Sequence, residues 1–147
     1  MKAQALGVTA PQGFEAAGIH CGIKKPGILD LALVVSTVIG PIAGVFTKNR
    51  VAAAPVILDR RHLRQHRGRA IIINSGNANA CTGAKGLQAA VAMATAVSKG
   101  LAIPVNQVFV GSTGVIGRVL PINHVKAGIP PLIAQLSRAG GRQAAQA

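Results

Sequence analysis

Aromatic side chains are nearly missing from this sequence. Its 147 residues include no Trp, no Tyr and three Phe, namely Phe14, Phe46 and Phe109. A core must therefore come from Val, Ile, Leu and Ala, and the stacking platforms that hold single-stranded nucleic acid are in short supply. Acids are equally few. Glu15, Asp30 and Asp59 stand against 16 Lys and Arg, for a formal net charge of +13. So few carboxylates exclude the paired acids of a glycosidase and a carboxylate cage for magnesium or calcium. Cys21 and Cys81 form no CxxC, and His20, His62, His66 and His124 fall at no zinc spacing, so no metal is expected. The start, MKAQALGVTAPQGF, lacks the continuous apolar stretch of a signal peptide. A cytoplasmic protein with free thiols is expected.

Long apolar runs are also absent, with one partial exception. Residues 28–46, ILDLALVVSTVIGPIAGVF, approach the ~20 residues of a membrane span but are broken by Asp30, Ser36-Thr37 and Gly40-Pro41. Their β-branched density predicts two buried strands, 31–37 and 43–47, joined by a Gly-Pro turn. Half of all residues are nonetheless hydrophobic, enough for a real core. A strand is predicted at 54–58, leading into a basic helix-compatible stretch at 59–65, and another strand at 70–74. Thr82 is a candidate N-cap for a helix in which Leu87, Ala90, Val91, Ala94 and Val97 recur at helical spacing, with Gly100 as its stop. Its alanines predict close packing on a sheet or a second helix. A strand at 107–112 runs into a Gly-rich turn at 113–117. Asn123 is placed to cap a short helix, VKAGI, and Pro130-Pro131 to start another, PLIAQL. Residues 138–147 read as a poorly ordered tail. Alternating strands and helices predict a layered α/β domain.

Three stretches carry candidate chemistry. RRHLRQHRGR, residues 60–69, is either a phosphate-contacting patch or a solvated face between buried strands. Specific nucleic-acid binding is not favoured with so few aromatics, whereas weak non-specific binding at low salt is expected. Asn74, Asn77 and Asn79 follow an apolar strand and either tie a turn together through Asx contacts or line a pocket. GSTGVIG, residues 111–117, has neither a P-loop lysine nor the dinucleotide glycine spacing. It places a Thr hydroxyl beside a Gly amide, which suits an oxyanion hole, although an ordinary strand-to-helix turn would contain the same residues. His20 and Cys21 are neighbours that point apart in a strand, so both cysteines read as buried structural thiols.

Four blocks together resemble the N-terminal part of the ornithine acetyltransferase family, the bifunctional glutamate N-acetyltransferases of arginine biosynthesis. They are GVTAPQGFEAAGIHCGIKKPGILDLALVVS, AGVFTKNRVAAAPV, IIINSGNANACTG and VFVGSTGVIGRVLP, in family order across most of residues 7–137. The resemblance implies a layered αββα sandwich, incomplete in this chain, and a precursor that cleaves itself before a threonine. That threonine, at the head of the β chain, would accept the acetyl group of N-acetylornithine and pass it to glutamate. Some members also take acetyl-CoA as a donor, and no metal or organic cofactor is implied. The oxyanion-hole pair carries over onto Thr113 and Gly114. The nucleophile and the substrate-binding Thr and Lys fall beyond residue 147, so the resemblance is to a truncated α chain forming one N-terminal domain, 1–147. Alone, such a chain is expected to be inactive. Its expected partners are a β chain from the same precursor, a higher oligomer, and the small molecules N-acetylornithine and glutamate, with no membrane. The family helix after CTG carries acids, whereas GAKGLQAAVAMATAVSKG has none. A basic nucleic-acid-binding module, or an inactive gene fragment, is the alternative.

Overall fold

Four strands form one sheet, and the order in which the chain lays them down explains how residues distant in sequence meet. The computed structural model describes residues 7–147; MKAQAL, part of the stretch from which the lack of a leader was read, lies outside them. Strand β1 (Phe14–Ile19) pairs antiparallel with β2 (Leu31–Pro41). Helix α1 (Ala54–His62) then leads to β3 (Arg67–Asn77), which is antiparallel to β2. Helix α2 (Gly83–Leu101) is the crossover to β4 (Val108–Val115), which runs parallel to β3 and forms an edge, so that the order is β1-β2-β3-β4. Helix α3 (Ile122–Ala134) and helix α4 (Gly141–Gln146) complete the described chain.

One sheet face carries Leu31, Leu33 and Val35 of β2, Ala70 and Ile72 of β3, and Val108 and Val110 of β4, alternating as strand geometry requires. It packs against Ala90, Met93, Ala94 and Val97 of α2 and Val125, Ile129 and Leu132 of α3. The alanines let α2 sit close, and its packing on a sheet and a second helix is as expected. On the opposite face Phe14 and Ile71 stay partly exposed. The described residues thus supply one sheet and its helical layer, part of the layered α/β architecture read from the sequence.

Several local expectations are corrected. The strand of 31–37 continues through Gly40 to Pro41, with a register shift between Val35 and Gly40, so there is no Gly-Pro turn and 43–47 is not a strand. No described helix is long and apolar enough to cross a membrane. Residues 54–58 are helical instead of extended. Pro55 sits at the helix start, where its missing N–H costs nothing, and Ala54, Leu58 and His62 are buried one turn apart. The strand of 70–74 extends to Arg67 and Asn77, and that of 107–112 runs on to Val115, so Thr113 and Gly114 belong to a strand.

Gly100 lies inside α2, where a side chain would overlap Ile133, and the helix is closed by Ala102 in the left-handed region. Residues 122–134 form one helix across Pro130-Pro131, and Asn123 lies within it. The buried stripe Val125, Ile129 and Leu132 outweighs the hydrogen bonds the two prolines forgo. Finally, the tail expected to be poorly ordered folds back. Ala16 and Ser137 exchange main-chain hydrogen bonds at 3.0 and 3.2 Å, and α4 lies so close on β1 that a side chain at Gly18 would run into the Gln143 carbonyl.

Candidate active site

Thr113 and Gly114 stand at the C-terminal end of β4, opposite Ser75 and Gly76 of β3. Both are exposed. The Thr113 hydroxyl makes no hydrogen bond among the described residues. Gly114 has φ +129°, and a Cβ built on it would lie 2.6 Å from the Asn77 nitrogen, so the position accepts only glycine.

What holds this end of the sheet is the asparagine cluster: all three side chains brace main chain, and Asn77 also lines a cleft. Asn74, Asn77 and Asn79 are buried. Asn74 accepts a hydrogen bond from Ser112 Oγ at 2.6 Å and donates to the Asn77 carbonyl at 2.8 Å. Asn77 Nδ2 donates to the carbonyls of Arg118 and Val119 at 3.2 and 3.3 Å, while its Oδ1 accepts the Asn79 amide at 3.0 Å. Asn79 donates to the Gly86 carbonyl at 3.0 Å and accepts from Thr82 Oγ1 at 3.2 Å, so Thr82 precedes α2 without capping it through its hydroxyl. Each amide satisfies main-chain groups that a turn at this depth would otherwise leave unpaired.

Asp30, noted in the sequence only as a break in an apolar run, is a second brace. It is fully buried, and its carboxylate accepts the amides of Cys21, Ile23 and Lys24 at 2.6, 2.8 and 2.9 Å. Burial opposes its charge, but the hydrogen bonds from Cys21, Lys24 and Ile23 outweigh that and hold the carboxyl below the usual range. The signal for it was a lone acid following a donor-rich loop, HCGIKKPG. His20 Nδ1 lies 3.2 Å from Asp30 Oδ2. Cys21 follows β1 and is half-buried; burial and the neighbouring Asp30 push its thiol up to about 12, which excludes an activated nucleophile. Cys81, expected to be buried, is exposed.

The outer edge of β4 is covered by α1. Asp59 Oδ1 accepts the Val110 amide at 3.0 Å, and His62 Nδ1 donates to the Val108 carbonyl at 2.7 Å. Burial raises the Asp59 carboxyl to about 6, against the smaller opposing effect of the Val110 amide. The folded chain then holds this proton more tightly than the unfolded one. The Asp59 contribution to stability is full below the ordinary value of 3.8 and falls as pH rises through about 6. Asp59→Asn, which keeps the acceptor, is expected to gain in melting temperature relative to the parent between pH about 4 and about 7. Parallel melting curves of the two proteins that keep a constant offset would contradict this.

The basic run of 60–69 spans the end of α1, a 3-10 turn and the start of β3. Arg60 donates to the Thr47 carbonyl and lies over the Phe46 ring at 5.6 Å. Arg69 donates to the Ser36 and Thr37 carbonyls at 3.3 and 3.1 Å. Arg60 and Arg69 thus tie loop and sheet margins together. A groove of about 590 Å³ along α2, lined also by Arg61 and Lys126, contains neither Thr113 nor Gly114.

A profile of the ArgJ family matches residues 15–147. The chain belongs to the ArgJ family. An arginine biosynthesis bifunctional protein ArgJ from Caldanaerobacter subterraneus is 49% identical over 140 residues, and one from Streptomyces avermitilis 48% over 143. Each alignment covers 95% of this chain but only 34% and 37% of the relative. The chain therefore spans about a third of the length of the ArgJ proteins it matches. Among solved structures, the ornithine acetyltransferase of Mycobacterium tuberculosis, complexed with ornithine, superposes with a TM-score of 0.92 at 44% identity, over 98% of this chain and 79% of that one. The ArgJ protein of Bacillus halodurans gives 0.89 at 37% identity, over 95% and 73%.

Proposed function

We propose that these residues form the N-terminal portion of an acetyltransferase of arginine biosynthesis, in which the Thr113 hydroxyl and the Gly114 amide hold the oxyanion of acetyl transfer. The observation that carries this reading is the exposed Thr113 hydroxyl, which makes no hydrogen bond among the described residues, beside Gly114, where a side chain would overlap main chain, in a chain of the ArgJ family. Backbone alternation adds support. The Val108 carbonyl and the Val110 amide face α1, and Gly114 shares their register on the edge away from β3.

A threonine from a second chain of the same precursor attacks the acetyl carbonyl of N-acetylornithine, and negative charge gathers on its oxygen between the two donors. The carbon–nitrogen bond breaks, and ornithine leaves with the proton on its α-amine. The α-amine of glutamate then attacks the acetyl-threonine ester, and the threonine oxygen recovers its proton. No resident cofactor takes part in this scheme, and acetyl-CoA is an alternative donor. The two chains pair into a higher oligomer in the cytoplasm. The solved relatives match over about three-quarters of their chains while the full-length ArgJ proteins match over about a third, which is consistent with a polypeptide cut after synthesis.

The test is intact-mass analysis of the complete gene product. Incubation with N-acetylornithine is expected to add the mass of one acetyl group to a companion chain that begins with Thr, and glutamate to remove it. Absence of any acetylated chain would refute the scheme.

A further inference from the structure

Helix α2 buries Ala90, Met93, Ala94 and Val97 in the core, yet it also shows apolar side chains to solvent. Leu87, Val91 and Ala92 line the groove of about 590 Å³ that runs along it, and Val91 is 41% exposed. A helix side that faces water ordinarily carries charge, but between Lys85 and Lys99 this helix carries none. The charge comes from the margins. Arg61 of α1, Lys99 of α2 and Lys126 of α3 edge the groove. All three are exposed, and their side chains make no hydrogen bond or ion pair among the described residues. No acid lines the groove: Asp30 is held by the amides of Cys21, Ile23 and Lys24, Asp59 accepts the Val110 amide, and Glu15 is on β1.

We propose that this groove docks an acidic amphipathic helix of a partner polypeptide, its apolar stripe on Leu87, Val91 and Ala92 and its Asp and Glu side chains against Arg61, Lys99 and Lys126. A floor of short side chains lets a second helix approach to the ~8–10 Å of ordinary helix packing. From Ala84 to Lys99, both of which line the groove, α2 rises about 22 Å, the length of about four turns of a helix laid beside it. Charge and shape select this occupant. A second copy of the chain would bring the same cations to the same face and be repelled. A bilayer is entered by large protruding apolar side chains, which this floor lacks. Nucleic acid would meet the cations but leave the apolar floor uncovered, and none of the three Phe lines the groove for a base to stack on.

The test uses the complete gene product and a fluorescein-labelled synthetic helix of about 18 residues, with Leu and Ala on one stripe and Glu on both flanks. A saturable rise in anisotropy is expected, with affinity falling about 3–10-fold as sodium chloride rises from about 0.02 to about 0.3 M. Val91→Glu puts a like charge on the apolar floor and is expected to weaken binding by about 10–100-fold. Arg61→Ala and Lys126→Ala are expected to weaken it by about 2–5-fold each. Because Val91 is exposed and Glu is a good helix former, an unchanged melting temperature accompanies the loss in Val91→Glu. The same peptide in scrambled order, or with Lys in place of Glu, is expected to bind about tenfold more weakly or worse. No saturable binding of the acidic helix, equal binding of the scrambled peptide, or indifference to Val91→Glu overturns the proposal. Phosphatidylserine vesicles or duplex RNA that bind the parent and lose affinity in Val91→Glu would give the groove to lipid or nucleic acid, and would overturn it equally.

Discussion

Thr113→Ala is expected to lower turnover of the complete enzyme by about 10²–10³ while leaving its stability within about 0.5 kcal/mol of the parent. The two halves of this expectation have separate causes. The side chain is exposed and its hydroxyl makes no hydrogen bond among the described residues, so nothing in the fold loses a partner when it goes. In the transition state the same hydroxyl would donate to an oxygen that has become an anion, away from bulk water, where a donor is worth far more than on the surface. Thr113→Ser keeps the hydroxyl and is expected to retain most of the activity. Steady-state rates and melting curves on the three proteins decide the matter. Equal loss of rate and of stability would mean that Thr113 is merely structural.

Gly114→Ala should fail in the opposite manner, losing both stability and activity. At φ +129° an L-residue is strained, and the added methyl would lie 2.6 Å from the Asn77 nitrogen and 2.7 Å from the Gly76 oxygen. Main chain cannot turn aside as a flexible side chain does, so the ends of β3 and β4 must separate. Strain and overlap together cost on the order of 3 kcal/mol, and the parted strands displace the amide at residue 114. Gly117→Ala is the control. Its φ is +79° but nothing lies within 4 Å of a Cβ there, so only the ~1–2 kcal/mol of the left-handed backbone is at stake. Denaturant unfolding of the two variants is expected to separate them, and equal losses would assign the Gly114 effect to its dihedral alone.

Much of this arrangement could be read from local pattern. The spacing of Leu87, Ala90, Val91, Ala94 and Val97 marks α2 because a helix shows its buried face in its own sequence. The apolar run at 70–74 and the small-residue string at 111–117 mark the two strands that carry the candidate site, and the ordered motif blocks lead to the family. Where local pattern misled, longer-range packing was responsible. Residues 54–58, with Val56 and Ile57 at their centre, read as extended, yet Pro55 at a helix start and the burial of Leu58 and His62 make them helical. The stretch 138–147 has no apolar periodicity of its own, and its order comes from Gly18 and Gly140, which let two backbones touch.

The residue types, their order along the chain and the family to which they belong are properties of the one-dimensional string. The meeting of Asn74 with Ser112, of Gly76 with Gly114 and of Asn77 with Arg118 is not, because each pair lies on opposite sides of the α2 crossover. Parallel pairing of β3 and β4 brings those pairs within hydrogen-bonding reach only after α2 has packed across the sheet. The same pairing turns three asparagines from turn formers into braces, and it leaves Thr113 exposed at the C-terminal end of β4. Side-chain chemistry is carried by single residues, but a site needs several of them in register, and register is a property of the folded sheet.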